Sequence, residues 1–178
     1  MKHQRRYALV LSMYLNRRGF AFVLFEGHLS PFDWGMREMR ATQRHKLFLA
    51  RMVDILDRYR PDVLVLEDTT PQGTRRTRRL VELNDALANA AAKFRIPVFA
   101  YSREEVYSAF RSIGFANKQM LAQLIAKYIP AFERYVPPPR KLWMSEDHRM
   151  GLFDAAALGI VFFQKAGEAS LPMPNVQR

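Results

Sequence analysis

Three acidic residues occupy positions from which their carboxylates could bind a metal ion together. Glu67 ends the apolar run Val63–Leu66, whose lack of polar alternation predicts a buried central strand. Asp154 lies inside a predicted helix of apolar and small residues, where a charged group needs a partner. Asp147 lies seven residues earlier, two helical turns back, so both acids can project from one face. Packing of that face beside the strand end would bring the carboxylates together.

A carboxylate cluster of this kind is typical of sites for hard divalent cations, here Mg²⁺ or Mn²⁺. Two such ions about 3.5–4 Å apart activate water and stabilise the leaving oxygen in phosphodiester hydrolysis. Ordinary structural roles stay open for the same residues. Glu67 could be a solvated strand end, and Asp147 could interact favourably with the N-terminus of its helix. The acids thus predict metal-dependent phosphodiester chemistry, with plain structural roles as the alternative.

The excess of positive charge predicts a polyanionic partner. The chain carries 28 Lys and Arg against 17 acids, a formal net charge of +11. This charge favours nucleic acid as the partner, before an anionic membrane surface or simple solubility. Candidates for phosphate contacts form a dense run after Glu67 and a smaller group near the N-terminus, namely Arg75, Arg76, Arg78, Arg79, Arg17 and Arg18. A solvated helix face is the alternative for the dense run. Phe115 and Trp143 are candidate base-stacking residues, with packing in the core or in an interface as the alternative.

Composition and length predict the cell compartment and the number of domains. The 178-residue chain has no cysteine, which excludes disulfides, zinc–thiolate sites and a cysteine nucleophile, and fits a reducing compartment. No apolar run approaches the roughly 20 residues of a membrane span, and the basic start does not resemble a signal peptide. We expect a cytoplasmic protein of bacterial or phage type without membrane association. The length predicts one domain, residues 1–166, followed by a flexible tail, residues 167–178.

Apolar periodicity predicts an α/β fold in which antiparallel strands precede parallel ones. Five strands are expected at residues 7–13, 19–26, 33–39, 63–67 and 96–101. The first two are joined by a short connection, which predicts a hairpin. The later strands alternate with helices, which predicts parallel pairing through helical crossovers.

Helix positions follow from the change of period and from capping residues. Apolar residues recur at three- and four-residue spacing over residues 42–60, and a second helix is expected to open at the arginine run after Glu67. Ser102 with Glu105 has the spacing of a capping box, and Asn117 can cap the next helix. Ser145 is expected to cap the last helix, which would place Asp147 in its first turn.

The order and spacing of several motifs resemble those of the RuvC Holliday-junction resolvases, within the RNase H-like nuclease superfamily. The resemblance runs from about Tyr7 to Phe163 and is clearest in the second half of the chain. It rests on Arg60-Pro61-Asp62-Val63-Leu64-Val65-Leu66-Glu67, on Ile96-Pro97-Val98-Phe99-Ala100-Tyr101 with Glu105-Val106, on Ile113-Gly114-Phe115-Ala116-Asn117-Lys118-Gln119, and on Asp154-Ala155-Ala156-Ala157-Leu158.

This resemblance implies an RNase H-like fold, a five-stranded mixed sheet with three antiparallel and then two parallel strands, flanked by helices. It also implies a homodimer that uses four carboxylates and Mg²⁺ to cut two strands of a four-way DNA junction. Carried over by position, Glu67 and Asp154 match two of the four carboxylates. Lys118 matches a lysine near the active site that could contact the scissile phosphate, with a solvated basic side chain as the alternative.

Two positions depart from the family pattern. The family's first strand carries an aspartate seven residues before a glycine that Gly19 matches, and Ser12 stands there, which makes Ser12 the degenerate position. Gly151 stands one turn before Asp154, where the resemblance implies another acid; Asp147 could replace it. A neutral serine oxygen cannot supply the charge of a carboxylate ligand. Ser12→Asp is therefore the substitution expected to restore activity.

The first hypothesis is a RuvC-like endodeoxyribonuclease that binds and cleaves four-way junctions with Mg²⁺ or Mn²⁺, in DNA recombination and repair. Its cleavage is expected to be weakened because Ser12 and Gly151 replace acids. The second is a catalytically inactive relative that binds branched DNA. The third is a scaffold protein that keeps the fold and its basic surface.

Overall fold

A five-stranded mixed sheet forms the centre of the structure, a computed structural model that describes residues 7–40, 45–70 and 76–167. The strands are β1 (Val10–Leu15), β2 (Gly19–Gly27), β3 (Ser30–Glu38), β4 (Val63–Glu67) and β5 (Val98–Tyr101). Their order in the sheet is β3-β2-β1-β4-β5. Strands β1, β2 and β3 pair antiparallel, whereas β4 pairs parallel with both β1 and β5. The predicted mixed sheet, antiparallel strands first, is confirmed.

Helices cover both faces of the sheet because its central strands are apolar on both sides. The helices are α1 (His45–Tyr59), α2 (Arg78–Lys93), α3 (Arg103–Arg111), α4 (Lys118–Tyr128) and α5 (Met150–Lys165), with a 3₁₀ helix at Pro130–Tyr135. Side chains alternate along β1, so that Leu11 and Met13 pack with α1 and α2 while Val10 and Tyr14 pack with α3, α4 and α5. Helix α5 is buried along nearly its whole length. An all-round apolar helix fits this central position.

Local signals place the starts of two helices where the sequence predicts them. The Ser102 side chain accepts a hydrogen bond from the Glu105 backbone N–H, and the Glu105 carboxylate accepts one from the Ser102 N–H, which completes the capping box of α3. The Asn117 side chain caps α4 by accepting from the Met120 N–H at 3.0 Å. Both caps fix the first turns of α3 and α4, which begin at the edge of the sheet where β4 ends.

The last helix begins later than the sequence predicts. Helix α5 starts at Met150, and Ser145 does not cap it. The side chain of Asp147 accepts a hydrogen bond from the backbone N–H of Arg149 at 2.9 Å, which holds the chain in a turn before the helix. Asp147 consequently precedes α5, and the prediction that it shares a helix face with Asp154 is wrong.

The remaining differences are at element ends. Strand β1 begins three residues and ends two residues later than predicted, and α2 begins at Arg78, after the first two arginines of the basic run. The predicted tail, residues 167–178, falls outside the described residues except for Gly167. Within the described ranges, no helix is both long and apolar enough to cross a membrane.

Candidate functional site

Glu67 lies at the C-terminal end of β4, on the face that α5 covers. The residue is 8% exposed, and its carboxylate forms an ion pair with Arg76. The Arg103 Nε lies 3.8 Å from the same carboxylate. The Asn84 side chain of α2 donates a hydrogen bond to the Glu67 carbonyl oxygen at 3.1 Å, which fixes the strand end. This buried acid is thus held by two cations from the segments that follow β4 and β5.

Asp154 approaches the same strand ends from α5. Its carboxylate lies 3.1 Å from the Nζ of Lys118, the first residue of α4, and this ammonium lies 2.7 Å from a Glu146 oxygen. Burial raises the pKa of Asp154, and the Lys118 ammonium opposes that rise. Burial alone would lower the pKa of Lys118, but Asp154, Tyr14 and Glu146 together outweigh it and the pKa is raised. Lys118 therefore stays charged and bridges two acids.

Tyr14 lies between these two ion pairs. Ser12 of β1 pairs with Val65 of β4, and continuation of this parallel register by two residues places Tyr14 level with Glu67. The guanidinium carbon of Arg76 lies 4.9 Å from the centroid of the Tyr14 ring, and the Lys118 Nζ lies 5.8 Å from it. Both cations lie within cation–π range of the ring. Burial and the nearby Asp154 carboxylate raise the pKa of Tyr14 to about 12, so its hydroxyl stays protonated.

Ser12 lies deeper in the core, two residues before Tyr14 on the same face of β1. It has no exposed surface, and its hydroxyl donates to the Val23 carbonyl oxygen at 3.3 Å. The Oγ atom would lie 3.2 Å from a Cβ built at Gly159, which follows Asp154 by five residues or roughly a turn and a half of α5. The residue level with Glu67 is therefore Tyr14, and Ser12 lies two residues deeper along β1.

The side chains at this site do not form a suitable set of ligands for a pair of divalent ions. Glu67 and Asp154 are each paired with a cation, and the residue level with Glu67 is a tyrosine. Among the residues that the structure describes, no three of His, Cys, Asp and Glu lie close enough together to hold a metal ion. Two adjacent divalent ions need several anionic oxygens. Arg76 and Lys118 supply at this site the positive charge that metal ions would bring.

Asp147 and Gly151 do not add a carboxylate to this pair. The Arg149 side chain donates to both Asp147 oxygens, at 2.9 and 2.7 Å, and these bonds lower the pKa of Asp147 to about 2. Gly151 is buried, and a Cβ there would lie 3.2 Å from the Asn16 amide nitrogen in the β1–β2 turn. The second acid that contacts Lys118, besides Asp154, is Glu146, which the sequence analysis did not select. A metal role for Asp147 would require it to leave Arg149.

The predicted basic residues divide into one site residue and several surface residues. Arg76 reaches the carboxylate of Glu67, whereas Arg78 pairs with Glu82 along α2 at 2.8 Å. Arg79, Arg17 and Arg18 are exposed, and Arg75 lies outside the described residues. Tyr14 and Arg103 were missed by sequence reasoning. The side-chain alternation of β1 could have indicated Tyr14, but only with the β1–β4 register known.

Replacement of Lys118 by methionine is expected to lower the free energy of unfolding by about 2 kcal/mol at neutral pH, because Asp154 would keep a buried charge without its cation. The raised pKa of Asp154 sets the pH dependence. Without the Lys118 ammonium the pKa of Asp154 should rise further, so the loss should be complete above the pKa of Asp154 in the variant and should shrink as the pH falls below it, since the protonated acid needs no counter-charge. Urea unfolding between pH 3 and 8 measures this. The double variant Lys118→Met/Asp154→Asn is the control, and it should recover most of the loss; an equal loss at every pH would contradict the assignment.

Comparison with solved structures relates this architecture to known proteins. The structure of Thermus thermophilus RuvC matches with a TM-score of 0.64 and 19% sequence identity, covering 91% of this chain and 98% of that one. RuvC from the same organism in complex with a Holliday junction substrate matches with a TM-score of 0.61 and 18% identity, with the same coverage. The yeast mitochondrial Holliday junction resolvase matches with a TM-score of 0.57 and 15% identity, over 89% of this chain and 79% of that one.

Comparison of the sequence alone identifies no similar protein. No protein-family model matches the chain, and no curated protein is significantly similar to it in sequence. The structural likeness extends over nearly all of this chain and includes the three antiparallel and two parallel strands. The chain has the RuvC-like resolvase fold.

Proposed function

We propose that this protein binds branched DNA, with four-way junctions as its substrate class, through the site at the ends of β1 and β4. The observation that carries the proposal is the ring of Tyr14, which lies level with Glu67 between Arg76 and Lys118. The site keeps the cations that bind phosphate and lacks an acid at that position. These features favour DNA binding over metal-assisted cleavage as the function of the site.

The fold and the charge support DNA as the ligand. One of the similar structures is RuvC bound to a Holliday junction substrate. The chain carries a formal net charge of +11, and a field of this sign attracts polyanions. We include the homodimer in the proposal, because two copies related by symmetry would suit the symmetric arms of a junction. Sedimentation of the free protein and of its complex measures this stoichiometry.

Arg76, Arg103 and Lys118 are the groups proposed to contact phosphate oxygens. Glu67 and Asp154 keep them in place, since each carboxylate forms an ion pair with at least one of the three. Arg103 is half exposed and is the most accessible of them. Contacts of this kind position the DNA backbone without reading its sequence. We therefore expect preference for a DNA shape and little preference for a base sequence.

The second candidate function is metal-dependent endonucleolytic cleavage of junctions. It is favoured by the placement of Glu67 and Asp154 on one face at the strand ends, where an acidic nuclease site would lie. A cleavage assay on a labelled four-way junction with Mg²⁺ or Mn²⁺ separates the two. Cleavage that EDTA and Glu67→Gln both abolish would support this candidate. Stable binding without cleavage in either metal would support the first.

Arg76→Ala is expected to weaken junction binding by about tenfold at 0.1 M salt, because it removes one phosphate contact at the centre of the site. The slope of log affinity against log salt should fall by about one for the same reason. Fluorescence anisotropy with a labelled junction measures both. Arg58→Ala is the matched control, since it removes the same charge from the end of α1, at the opposite end of the sheet. Equal losses in the two variants would show that only overall charge matters.

A further inference from the structure

A turn between the 3₁₀ helix and α5 presents an aromatic side chain to solvent. Residues 141–144 form this turn, which we call the Trp143 turn, and the Met144 backbone N–H closes it by donating to the Lys141 carbonyl oxygen at 3.0 Å. The side chains at its two central positions, Leu142 and Trp143, are 98% and 80% exposed. Turns usually place glycine, proline or small polar residues at such positions. Two large apolar side chains there indicate a contact surface.

The base of the Trp143 turn is fixed by two arginines. The Arg140 Nε donates to the Met144 carbonyl oxygen at 2.6 Å, and an Arg18 nitrogen donates to the Ser145 hydroxyl at 2.8 Å. The turn is thereby tied to the connection between β1 and β2. These bonds hold the backbone that carries Trp143, and an aromatic side chain with only two rotatable bonds loses little conformational freedom when it binds a ligand.

The Trp143 turn borders a cleft that leads to the site described above. The cleft has a volume of about 660 Å³, and its lining includes Arg18, Lys118, Arg140 and Met144. Lys118 belongs both to the cleft, which it lines, and to the site, where it contacts Asp154. Asp147 and Glu146 also line it, but their carboxylates are already paired with Arg149 and Lys118. The cleft therefore extends from Arg140 and Met144, which adjoin the exposed ring, to Lys118, the lysine proposed above to contact phosphate.

We propose that Trp143 is a stacking platform for an unpaired nucleobase of branched DNA, with the phosphates flanking that base held by Arg140 and Lys141. Lys141 already lies with its Nζ 5.4 Å from the centroid of the Trp143 ring. Base stacking on an aromatic ring accepts any base, so this subsite recognises the absence of pairing and not sequence. The inference rests on the proposed function, because it adds a base contact to the phosphate contacts at Lys118.

Charge favours a nucleobase over a second copy of this chain as the occupant. Arg140 and Lys141 adjoin the exposed ring, so a second copy of this turn packed against it would bring like charges together, whatever other surface a homodimer uses. A DNA strand supplies both the aromatic face for Trp143 and the negative charge for Arg140 and Lys141. The Trp143 turn therefore matches single-stranded DNA in both polarity and charge.

The test uses the full chain with two DNA ligands, a four-way junction with one unpaired base at the branch point and a perfect duplex of the same length. Trp143→Ala is expected to weaken binding to the first by about tenfold and to leave duplex binding unchanged. Trp143→Phe should recover most of the affinity. Phe32→Ala is the matched control, because Phe32 is another exposed aromatic residue, near the start of β3 and outside the lining of the cleft.

Fluorescence supplies a second readout that does not depend on affinity. A 2-aminopurine at the unpaired position should be quenched on binding to the wild-type protein, and the quenching should be lost in Trp143→Ala at saturating protein. Because the Trp143 side chain is largely exposed, the variant should keep its melting temperature, which is checked by circular dichroism.

The outcomes separate this inference from the proposed function. Unchanged affinity and quenching in Trp143→Ala, with weaker binding in Arg76→Ala, would overturn the stacking role and leave DNA binding in place. A shift of Trp143→Ala from dimer to monomer in sedimentation, with weaker binding to both DNA ligands, would assign the Trp143 turn to a contact between copies and overturn the inference. A wild-type protein that binds neither DNA would overturn both proposals.

Discussion

Tyr14→Asp is expected to convert this protein into a metal-binding protein and to raise junction cleavage on the order of 100-fold above the wild type. The substitution would place a third carboxylate level with Glu67 and near Asp154. Removal of the ring would also release Arg76 and Lys118 from their cation–π contacts. The acids could then bind a divalent ion in place of the two cations.

The measurements are Mn²⁺ titration by calorimetry and cleavage of a labelled four-way junction. Without metal, Tyr14→Asp should be less stable than the wild type, because it adds a third negative charge to a buried site. Added Mn²⁺ should restore the melting temperature through binding to the folded state. Tyr14→Asn is the matched control, with the same side-chain shape and no charge. A folded Tyr14→Asp that neither binds Mn²⁺ nor differs from Tyr14→Asn would refute the assignment of this position.

Ser12→Asp is expected to cost about 3–5 kcal/mol of the free energy of unfolding and to restore no cleavage. Ser12 is fully buried, and its hydroxyl lies next to Gly159 of α5, where even a Cβ would meet the Phe25 ring. The Val23 carbonyl oxygen, which accepts a hydrogen bond from the serine, would repel a carboxylate. The introduced acid would therefore be buried without a donor.

The pH dependence of unfolding tests this account. Burial should raise the pKa of the introduced carboxyl, so its destabilisation should be complete above that pKa and should decrease as the pH falls through it. Ser12→Asn has nearly the same volume and no charge, so its loss should be constant with pH. Ser12→Ala should cost only about 1 kcal/mol, the contribution of one hydrogen bond. Cleavage gained by Ser12→Asp and not by Tyr14→Asp would reverse the assignment of the two positions.

The pattern of apolar residues was sufficient to predict the sheet and most helices. Val63–Leu66 is apolar without alternation, and the strand is buried on both faces and ends at Glu67 as predicted. The capping box at Ser102 and the cap at Asn117 were also readable, because a cap depends on residues within one turn of each other. The start of α5 was not, since Ser145 has the right type but Asp147 and Arg149 hold the chain in a turn.

Glu67 and Asp154 could be selected from the sequence because each is an acid inside an apolar element, and both prove to be buried at the strand ends. Arg76 and Lys118 could also be selected as basic candidates, but neither their pairing with these acids nor the part of Arg103 could be predicted. Arg76, Arg103 and Lys118 come from three separate segments that only the folding of β4, β5 and α5 brings together.

The sequence by itself determined the mixed sheet, the two buried acids and the basic character of this protein, because these depend on residue type and local period. Only the tertiary structure decided that Tyr14 and not Ser12 lies beside Glu67. That choice depends on the register between β1 and β4, and both residues face the same side, so alternation cannot distinguish them. The physical consequence is a site in which Arg76 and Lys118, held against a tyrosine ring, balance the charge of the acids.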